Sequence, residues 1–483
     1  MSSRQQSSRQ QSSRRRPSGA RQTPPEVPAR PRRRHPWSGR LDAGGPTVLE
    51  LLRAVPAIRR DPLGYLERMV AEHGDLVALP MPGAPVLLVN DPGAARQVLQ
   101  DNNRAYGKQT LQYTALSAVT GNGLLTSDGE AWRARRRLVQ PAFHRAGLDR
   151  VAAESVAAAR RLGQAWSAAG SGPVDVDQGL QAAMLEVLGH TLFEADLAPA
   201  GERVLHAVDE ALGAVMVRAR SLVPDWLPTP ARRRLRRATG VLDDVCAGLV
   251  TARRAAGVGP ADPDLLALLL RSLGTEGGVS ETDLRDELVT LVIAGHETVA
   301  ACLTWTLHLL AGHPQVQAAV HAELDQVLAG REPGWSDLPR LPWLRACVDE
   351  ALRLYPPAWV LTRRALAADE LAGIEVPAGT LVIISPWLLH RRAQSWPLPD
   401  RFDPQRFAGE PPAAVRAGAY LPFGAGPRLC IGREFALVEA VLVLATLLRD
   451  RRVDHPAGRV PCRVDALVTL RPHGGLPLLV SPR

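Results

Sequence analysis

The spacing of apolar residues along the chain predicts mostly helices. Between residues 150 and 275, alanine, leucine and valine recur every three or four positions among arginines, which places them on one helical face. Breaks at 168–172, 196–201, 224–230 and 257–263 divide this region into four or five helices. We find no residue pattern typical of catalysis within it.

Other helices are predicted on either side of this region. Residues 46–74 form one that ends in a His-Gly stop, and a further helix begins at Asp128. Residues 343–355 form another, which two prolines end. The stretch 106–127 shows no periodicity and is expected to be irregular.

Strands are predicted in shorter segments. Residues 76–90 form a hairpin broken at 81–83, and further strands are expected at 359–365, 380–384, 466–470 and 476–480. The predicted fold class is therefore mainly α with a smaller β-rich lobe.

One helix is much longer than the rest. The sequence Ser-Glu-Thr-Asp at 280–283 has the form of a capping box, and Gly-His-Pro at 312–314 ends the helix about thirty residues later. Its middle reads Ala-Gly-His-Glu-Thr at 294–298, where glycine and threonine are locally unfavourable. The small residues would leave room for a ligand, and Glu297 followed by Thr298 could pass protons into that space. The alternative is a glycine used for packing beside an unrelated threonine.

Charge is concentrated at the start of the chain. Residues 1–40 hold eleven arginines and one glutamate, a net of +10, so that 41–483 carries about −1 of the total of +9. Segment 1–42 has almost no large apolar residues and is predicted to be disordered. It could contact nucleic acid or anionic lipid, or simply be solvated, and no apolar segment follows that would make it a signal peptide.

The five cysteines are scattered and odd in number, which indicates a reducing, cytoplasmic setting without a disulfide framework. No apolar run approaches the ~20 residues that span a bilayer, so no membrane span is predicted. The best candidate, 435–448, contains Glu439.

The most informative stretch is a loop around one cysteine, before a helix predicted from about Arg433. It reads Phe-Gly-Ala-Gly-Pro-Arg-Leu-Cys-Ile-Gly from Phe423 to Gly432. Glycines let the backbone turn and approach a flat ligand, and amides at a helix start favour a thiolate at Cys430. The alternative for a lone cysteine is an inert buried thiol.

The spacing of Phe423, Gly426, Arg428, Cys430 and Gly432 resembles the haem-binding loop of the cytochrome P-450 family of haem-thiolate monooxygenases. The segment 294–298 resembles the oxygen-activation segment of the same family. The resemblance implies haem b between the long helix and the loop, with Cys430 as the thiolate ligand of the iron.

Further motifs support the resemblance. Trp132 and Arg136, four apart on one helix, resemble the Trp-x-x-x-Arg helix of the family, where they would bind a haem propionate. Arg363 and Arg364 face opposite ways on a strand; one could bind a propionate, and Arg363 is favoured.

A structural triad is implied as well. Glu350 and Arg353 resemble the Glu-x-x-Arg pair of the family, and Arg406 its third partner, although Gln405 stands where glutamate is common. Such a buried charge triad would hold the cysteine loop in place.

By this resemblance residues 43–483 form one haem-binding monooxygenase domain of the soluble bacterial type, a monomer. Glu297 and Thr298 would deliver protons while one atom of O2 enters a C–H bond. Electrons would come from a ferredoxin or another external donor with its reductase, because no flavin- or ferredoxin-like segment is seen.

Segments that line the pocket in relatives, 110–120, 214–217, 291–294, 358–361 and 467–469, contain no charged residue here. An apolar substrate is expected, with a terpenoid favoured and a fatty acyl chain or polyketide left open. One rival is an O2-independent isomerase or dehydratase of the same family. Another is a basic-tailed nucleic-acid-binding or scaffold protein without a chromophore; specific nucleic-acid binding is not expected.

Overall fold

A computed structural model describes residues 41–81, 83–144, 147–219, 229–260, 262–275, 278–458 and 462–483. Residues 1–40 of the predicted disordered tail lie outside the described residues. Leu41 and Ala43, just after them, are buried in the core of the β-rich lobe.

Helices make up most of the described chain. They are α1 (Val48–Arg60), α2 (Pro62–His73), α3 (Pro92–Arg96), α4 (Leu111–Thr120), α5 (Gly129–Val139), α6 (Leu148–Ala168), α7 (Val176–Leu188), α8 (Gly201–Ala219), α9 (Pro230–Ala256), α10 (Leu265–Ser272), α11 (Glu281–Gly312), α12 (Pro314–Leu328), α13 (Pro342–Leu354), α14 (Pro386–Leu389), α15 (Ala413–Arg416) and α16 (Arg433–Arg449).

The strands are short. They are β1 (Leu76–Leu79), β2 (Val86–Val89), β3 (Tyr106–Gly107), β4 (Val174–Asp175), β5 (Leu361–Ala365), β6 (Asp369–Leu371), β7 (Ile374–Val376), β8 (Leu381–Ile384), β9 (Arg451–Asp454), β10 (Val464–Ala466), β11 (Leu470–Pro472) and β12 (Pro477–Pro482).

The largest sheet has five strands in the order β1-β2-β8-β5-β3. All neighbours are antiparallel except β2 and β8, whose register pairs Val86 with Leu381. Three smaller sheets comprise β6-β7, β10-β11 and β4-β12-β9. The predicted fold class, mainly α with a smaller β-rich lobe, is confirmed.

Helix α11 is the centre of the molecule. Its capping box is present, because the Ser280 hydroxyl accepts from Asp283 N while the Asp283 carboxylate accepts from Ser280 N. Leucines of its first half belong to one apolar cluster and those of its second half to another, and the two clusters meet around 294–298. The unusual segment of the sequence therefore lies between two cores.

Among the described residues, α11 is the one helix with the length and mean hydropathy of a bilayer span, and 83% of its most apolar stretch is buried inside the protein. Burial between two cores accounts for this composition. The best candidate predicted from the sequence, 435–448, lies instead in α16.

Three local predictions were wrong. The strand expected at 466–470 is instead the turn of a hairpin, because Ala466 ends β10 and pairs with Leu470 at the start of β11. Residues 46–74 form two helices, because Asp61 caps α2 through Gly64 N and Pro62 occupies its first turn. Residues 106–127 contain β3 and α4 instead of an irregular chain. Helix α4 buries Leu116 and Val119 in the core next to α11, so that packing outweighs the weak helix preference of its Thr and Ser residues.

Candidate active site around Cys430

The cysteine loop is closed by its own backbone. Cys430 N donates to Phe423 O at 3.0 Å, and Gly432 immediately precedes α16. Gly426 has φ +68°, and a Cβ there would lie 2.1 Å from Leu99 O. A side chain at 426 would therefore force the loop away from the Leu99 backbone.

The electrostatics of Cys430 differ from those of the buried thiols. Cys430 is exposed, although protein atoms surround it closely enough that burial still raises its pKa. The Gly432 amide and the guanidinium groups of Arg136 and Arg433 act in the opposite direction and favour the thiolate. Cys302, by contrast, is buried, and burial raises its pKa to about 12.

Helix α11 has three residues near its middle that are only partly buried, and we call this place the opening of α11. From 286 to 311 every residue is buried except Ala294, Gly295 and Thr298. Thr298 donates its hydroxyl hydrogen to Ala294 O at 2.8 Å. A Cβ at Gly295 would lie 2.4 Å from Leu188 Cδ1 of α7, so this glycine serves helix packing as well as any space for a ligand. Helix α16, which begins three residues after Cys430, packs against α11.

Glu297 is tied to a network that the sequence did not predict. Its Oε1 accepts from the Thr469 hydroxyl at 2.6 Å and lies 3.0 Å from Arg471 Nη2, while its Oε2 is buried without a hydrogen-bond partner. Burial raises the pKa of Glu297, and Arg471 and Thr469 partly oppose this. Arg471 also pairs with Asp209 of α8 at 2.6 Å.

This network reaches open space. Arg471, Asp209 and Asp177 line a cleft of about 1190 Å³ between α6, α7, α8 and the β10-β11 hairpin. The chain of charges Glu297–Arg471–Asp209 therefore connects a buried carboxyl to solvent.

Three cations gather beside the loop. Lys108, the only lysine of the chain, is buried; it donates to Leu125 O at 2.8 Å and lies 4.5 Å from the centre of the Tyr113 ring. Arg363 donates to the Tyr113 hydroxyl at 3.3 Å. Arg428 pairs with Asp128.

The cluster has more positive than negative charge. Burial and the positive charges of Arg363 and Arg428 hold the pKa of Lys108 well below its ordinary value of 10.5, whereas Asp128 alone raises it. Burial also lowers the pKa of Arg428 to about 10, and Asp128 opposes this. This excess of positive charge suits a ligand with two carboxylates.

Trp132 and Arg136, which the sequence predicts to act as a pair, contact different groups in the structure. Arg428 stacks on the Trp132 ring at 4.0 Å, whereas Arg136 donates to Leu429 O at 3.1 Å, next to the cysteine. Arg363 is buried and Arg364 is exposed, so that Arg363 is the one of the two that faces the interior.

The predicted triad is assembled. Arg353 Nε and Nη2 bind the Glu350 carboxylate at 2.7 and 2.8 Å, both side chains are fully buried, and Arg406 Nε lies 3.4 Å from Glu350 Oε1. Arg353 also donates to His390 O, and His390 Nε2 accepts from Leu421 N at 2.7 Å. The triad thus contacts the chain just before the cysteine loop through His390.

Comparison with known proteins identifies this arrangement. Residues 43–478 match the family model described as Cytochrome P-450. The chain belongs to the cytochrome P-450 family. Cyclooctat-9-en-7-ol 5-monooxygenase of Streptomyces melanosporofaciens is 35% identical over 95% of this chain and 98% of its own length. Pentalenene oxygenase of Streptomyces avermitilis is 35% identical over 82% and 87%.

A solved structure agrees. CYP175A1 from Thermus thermophilus superposes with a TM-score of 0.73 at 32% identity, covering 91% of this chain and 99% of that one. This chain is a cytochrome P-450 monooxygenase, and its cofactor is a cysteine-ligated haem b. The exposed thiol and the excess of cations beside it fit an iron porphyrin that carries two propionates.

Four residues of this arrangement were not predicted from the sequence: Lys108, Asp209, His390 and Arg471. Tyr113 and Thr469 were expected to line the pocket, but their contacts with Arg363 and Glu297 were not predicted. Only Lys108 had a detectable signal, as the one lysine in a chain that otherwise uses arginine.

Proposed function

We propose that this enzyme inserts one atom of O2 into a C–H bond of an apolar, terpenoid small molecule, using electrons from a separate donor. The observation that carries the proposal is the opening of α11 at Ala294, Gly295 and Thr298, directly beside the buried carboxyl of Glu297. Between residues 286 and 311 all other positions of this helix are buried, and packing alone gives no reason for a threonine to be only half-buried there.

Haem b, when bound, supplies the activation of O2. Cys430 is the proposed ligand, held by the loop that Phe423, Gly426 and Gly432 shape. The Gly432 amide and Arg136 favour its negative charge.

The cation cluster provides the other anchor. Lys108, Arg363 and Arg428 would bind the two propionates. The Trp132 ring stacks on the Arg428 guanidinium and would hold it in position. Binding two carboxylates here relieves the mutual repulsion of the three cations, so that the haem-free site is poised for an anionic ligand.

Protons enter by a separate route. Glu297 can hold a proton at its unpartnered Oε2, and the Thr298 hydroxyl, which donates to Ala294 O, keeps its lone pairs for a water molecule in the opening. The cleft beside Arg471 and Asp209 supplies solvent. Glu297 and Thr298 are therefore the proposed catalytic pair.

The substrate proposal rests on two arguments. The segments expected to line the pocket carry no charge, which favours an apolar ligand over an acid. In addition, the names of two relatives specify oxidations of cyclooctat-9-en-7-ol and pentalenene, both terpenoids.

The electron donor is proposed to be an acidic protein such as a ferredoxin, acting in the cytoplasm on a monomeric enzyme. Arg133 and Arg137 of α5 and Arg433 at the start of α16 are exposed on the elements that hold Cys430. Exposed arginines attract a negatively charged partner.

The test uses haem-loaded enzyme with a ferredoxin, its reductase and a panel of cyclic terpene hydrocarbons and alcohols. Candidates are found by the spin-state change on binding and then turned over under ¹⁸O2. We expect one labelled oxygen in the product. A rearranged or dehydrated product formed without O2 would favour the isomerase or dehydratase instead.

The roles of Glu297 and Thr298 have their own test. Thr298→Ala should keep substrate binding but release peroxide in place of product, because the hydroxyl that holds water is lost. Thr306→Ala is the matched control, since Thr306 is fully buried in the same helix and donates to Cys302 O as Thr298 donates to Ala294 O. Full coupling of electrons to product in Thr298→Ala would remove Thr298 from the mechanism.

A further inference from the structure

Helix α1 presents apolar side chains to the outside of the molecule. Leu49 and Leu52 are 54% and 62% exposed, and Pro56 follows one turn later on the same side. The opposite side of α1 is anchored, since Leu51 and Ile58 pack against the apolar cluster of the β-rich lobe. The two leucines are therefore exposed even though α1 is packed against the protein on its other side.

Cations surround these leucines. Arg53, Arg59 and Arg60 of α1 are all exposed and lie on the same outward side in the helical arrangement. Long arginine side chains can bury their methylene groups beside an apolar phase while the guanidinium binds phosphate. Leucines flanked by arginines are the pattern of a helix that lies in a lipid–water interface.

The chain before α1 adds a strong positive charge. Residues 1–40 carry a net of +10, whereas the rest of the protein carries about −1. The large apolar residues of this segment are Met1, Val27 and Trp37, too few to cover the leucines of α1. Its composition is therefore suited to an anionic surface.

We propose that α1 and the arginine-rich segment together bind the surface of an anionic lipid bilayer, with Leu49 and Leu52 entering the headgroup boundary and no segment crossing the membrane. The attraction of the basic residues to such a surface is electrostatic and weakens as salt increases. The leucines add a contribution that salt does not screen. We expect neither the arginines nor the leucines to hold the protein on the membrane alone, because stable anchoring takes two weak contributions acting together.

The experiment is vesicle co-sedimentation of the full-length, haem-loaded protein. Vesicles are made of phosphatidylcholine alone or of phosphatidylcholine mixed with phosphatidylglycerol. We expect binding to the mixed vesicles, weaker at high salt, and none to phosphatidylcholine alone. Equal binding to both, or binding to neither, would overturn the proposal.

Variants separate the two contributions. Leu49→Ser with Leu52→Ser should weaken binding on the order of tenfold to a hundredfold, the loss expected for two partly buried leucines. Leu366→Ser with Leu398→Ser is the matched control, because these leucines are 56% and 67% exposed elsewhere on the surface and should leave binding unchanged. An unchanged haem spectrum shows that each variant is folded.

Two results would contradict the proposal at this stage. If the α1 variant bound the mixed vesicles with wild-type affinity, the leucines would play no part and charge alone would account for the binding. Displacement of the protein from vesicles by duplex DNA, with equal DNA affinity in the wild type and the α1 variant, would assign the arginine-rich segment to nucleic acid.

Discussion

Arg471→Gln tests whether the carboxyl of Glu297 is controlled from the cleft. Arg471 Nη2 lies 3.0 Å from Glu297 Oε1, and both side chains are largely buried. At an effective dielectric constant of about 20, two unit charges at this distance attract by about 5 kcal/mol, which is an upper bound for the pair. Removing one partner of such a pair destabilises a protein by about 3–5 kcal/mol while the other stays charged.

Glu297 can escape this cost by taking up a proton. Burial already raises its pKa, and loss of Arg471 removes the largest opposing influence, so that its pKa rises further in the variant. A carboxyl whose folded-state pKa is raised binds more protons in the folded than in the unfolded state, and stability therefore falls as pH increases through that range. The cost of Arg471→Gln should accordingly be small at acid pH and increase toward alkaline pH.

The assay is a double-mutant cycle with Glu297→Gln. Free energies of unfolding of the haem-loaded proteins are measured by denaturant titration at several pH values. We expect a coupling energy of about 3 kcal/mol on the alkaline side that decreases toward acid pH. In the Glu297→Gln background, Arg471→Gln should lose this pH dependence.

A surface pair provides the control. Arg483 pairs with Asp325, whose side chain is 64% exposed, and Arg483→Gln should cost less than about 1 kcal/mol at any pH. If the coupling between Arg471 and Glu297 were equally small, or constant with pH, the two groups would not form the unit described here. Arg471→Gln should also increase peroxide release, because proton delivery through Glu297 changes.

Three further substitutions probe the supports of the site. Gly426→Ala should lower stability by more than about 2 kcal/mol and reduce haem content, because the added Cβ would meet Leu99 O. Gly424→Ala is the control and should cost about 1 kcal/mol, because Gly424 has φ +71° but open space around it. Equal losses of stability in thermal unfolding would contradict the contact between residue 426 and Leu99. Glu350→Ala should cost about 3–5 kcal/mol in denaturant titration, because it leaves Arg353 buried and unpaired, and a loss below about 1 kcal/mol would rule out the triad as a support. Lys108→Met should weaken haem binding, and unchanged affinity in a haem titration would exclude Lys108 from the propionate site. In the folded, haem-free protein the lowered pKa of Lys108 favours its neutral form, so that stability is expected to rise with pH below pH 10.5. Lys108→Met should abolish this rise, which unfolding of the haem-free protein measures.

The parts of the site that could be predicted from the sequence are those specified by neighbouring residues. The capping box at Ser280 and the glycine stop define α11 locally, and the spacing around Cys430 defines the loop. Glu350 and Arg353 are one turn apart on one helix, so their pairing is visible in the sequence as well.

The residues that were missed are distant in the chain. Asp209 and Arg471 come from α8 and β11, and only the fold brings them to Glu297 of α11. Helix α4 was missed for a related reason, since its stability comes from contacts with α8 and α11 that have no local signal. The glycine at 295 was expected to leave space for a ligand. It also lets α11 pack against α7, because a Cβ at this position would meet Leu188, which is distant in the chain.

The most direct test of the account is the spectrum of the reduced carbon monoxide complex. The wild-type protein is predicted to show the strongly red-shifted Soret band of a thiolate-ligated haem, and Cys430→Ser is predicted to lose it while Cys462→Ser, at a partly exposed cysteine, keeps it. A red-shifted band that persisted in Cys430→Ser would place the iron on another side chain and contradict the assignment of the active site.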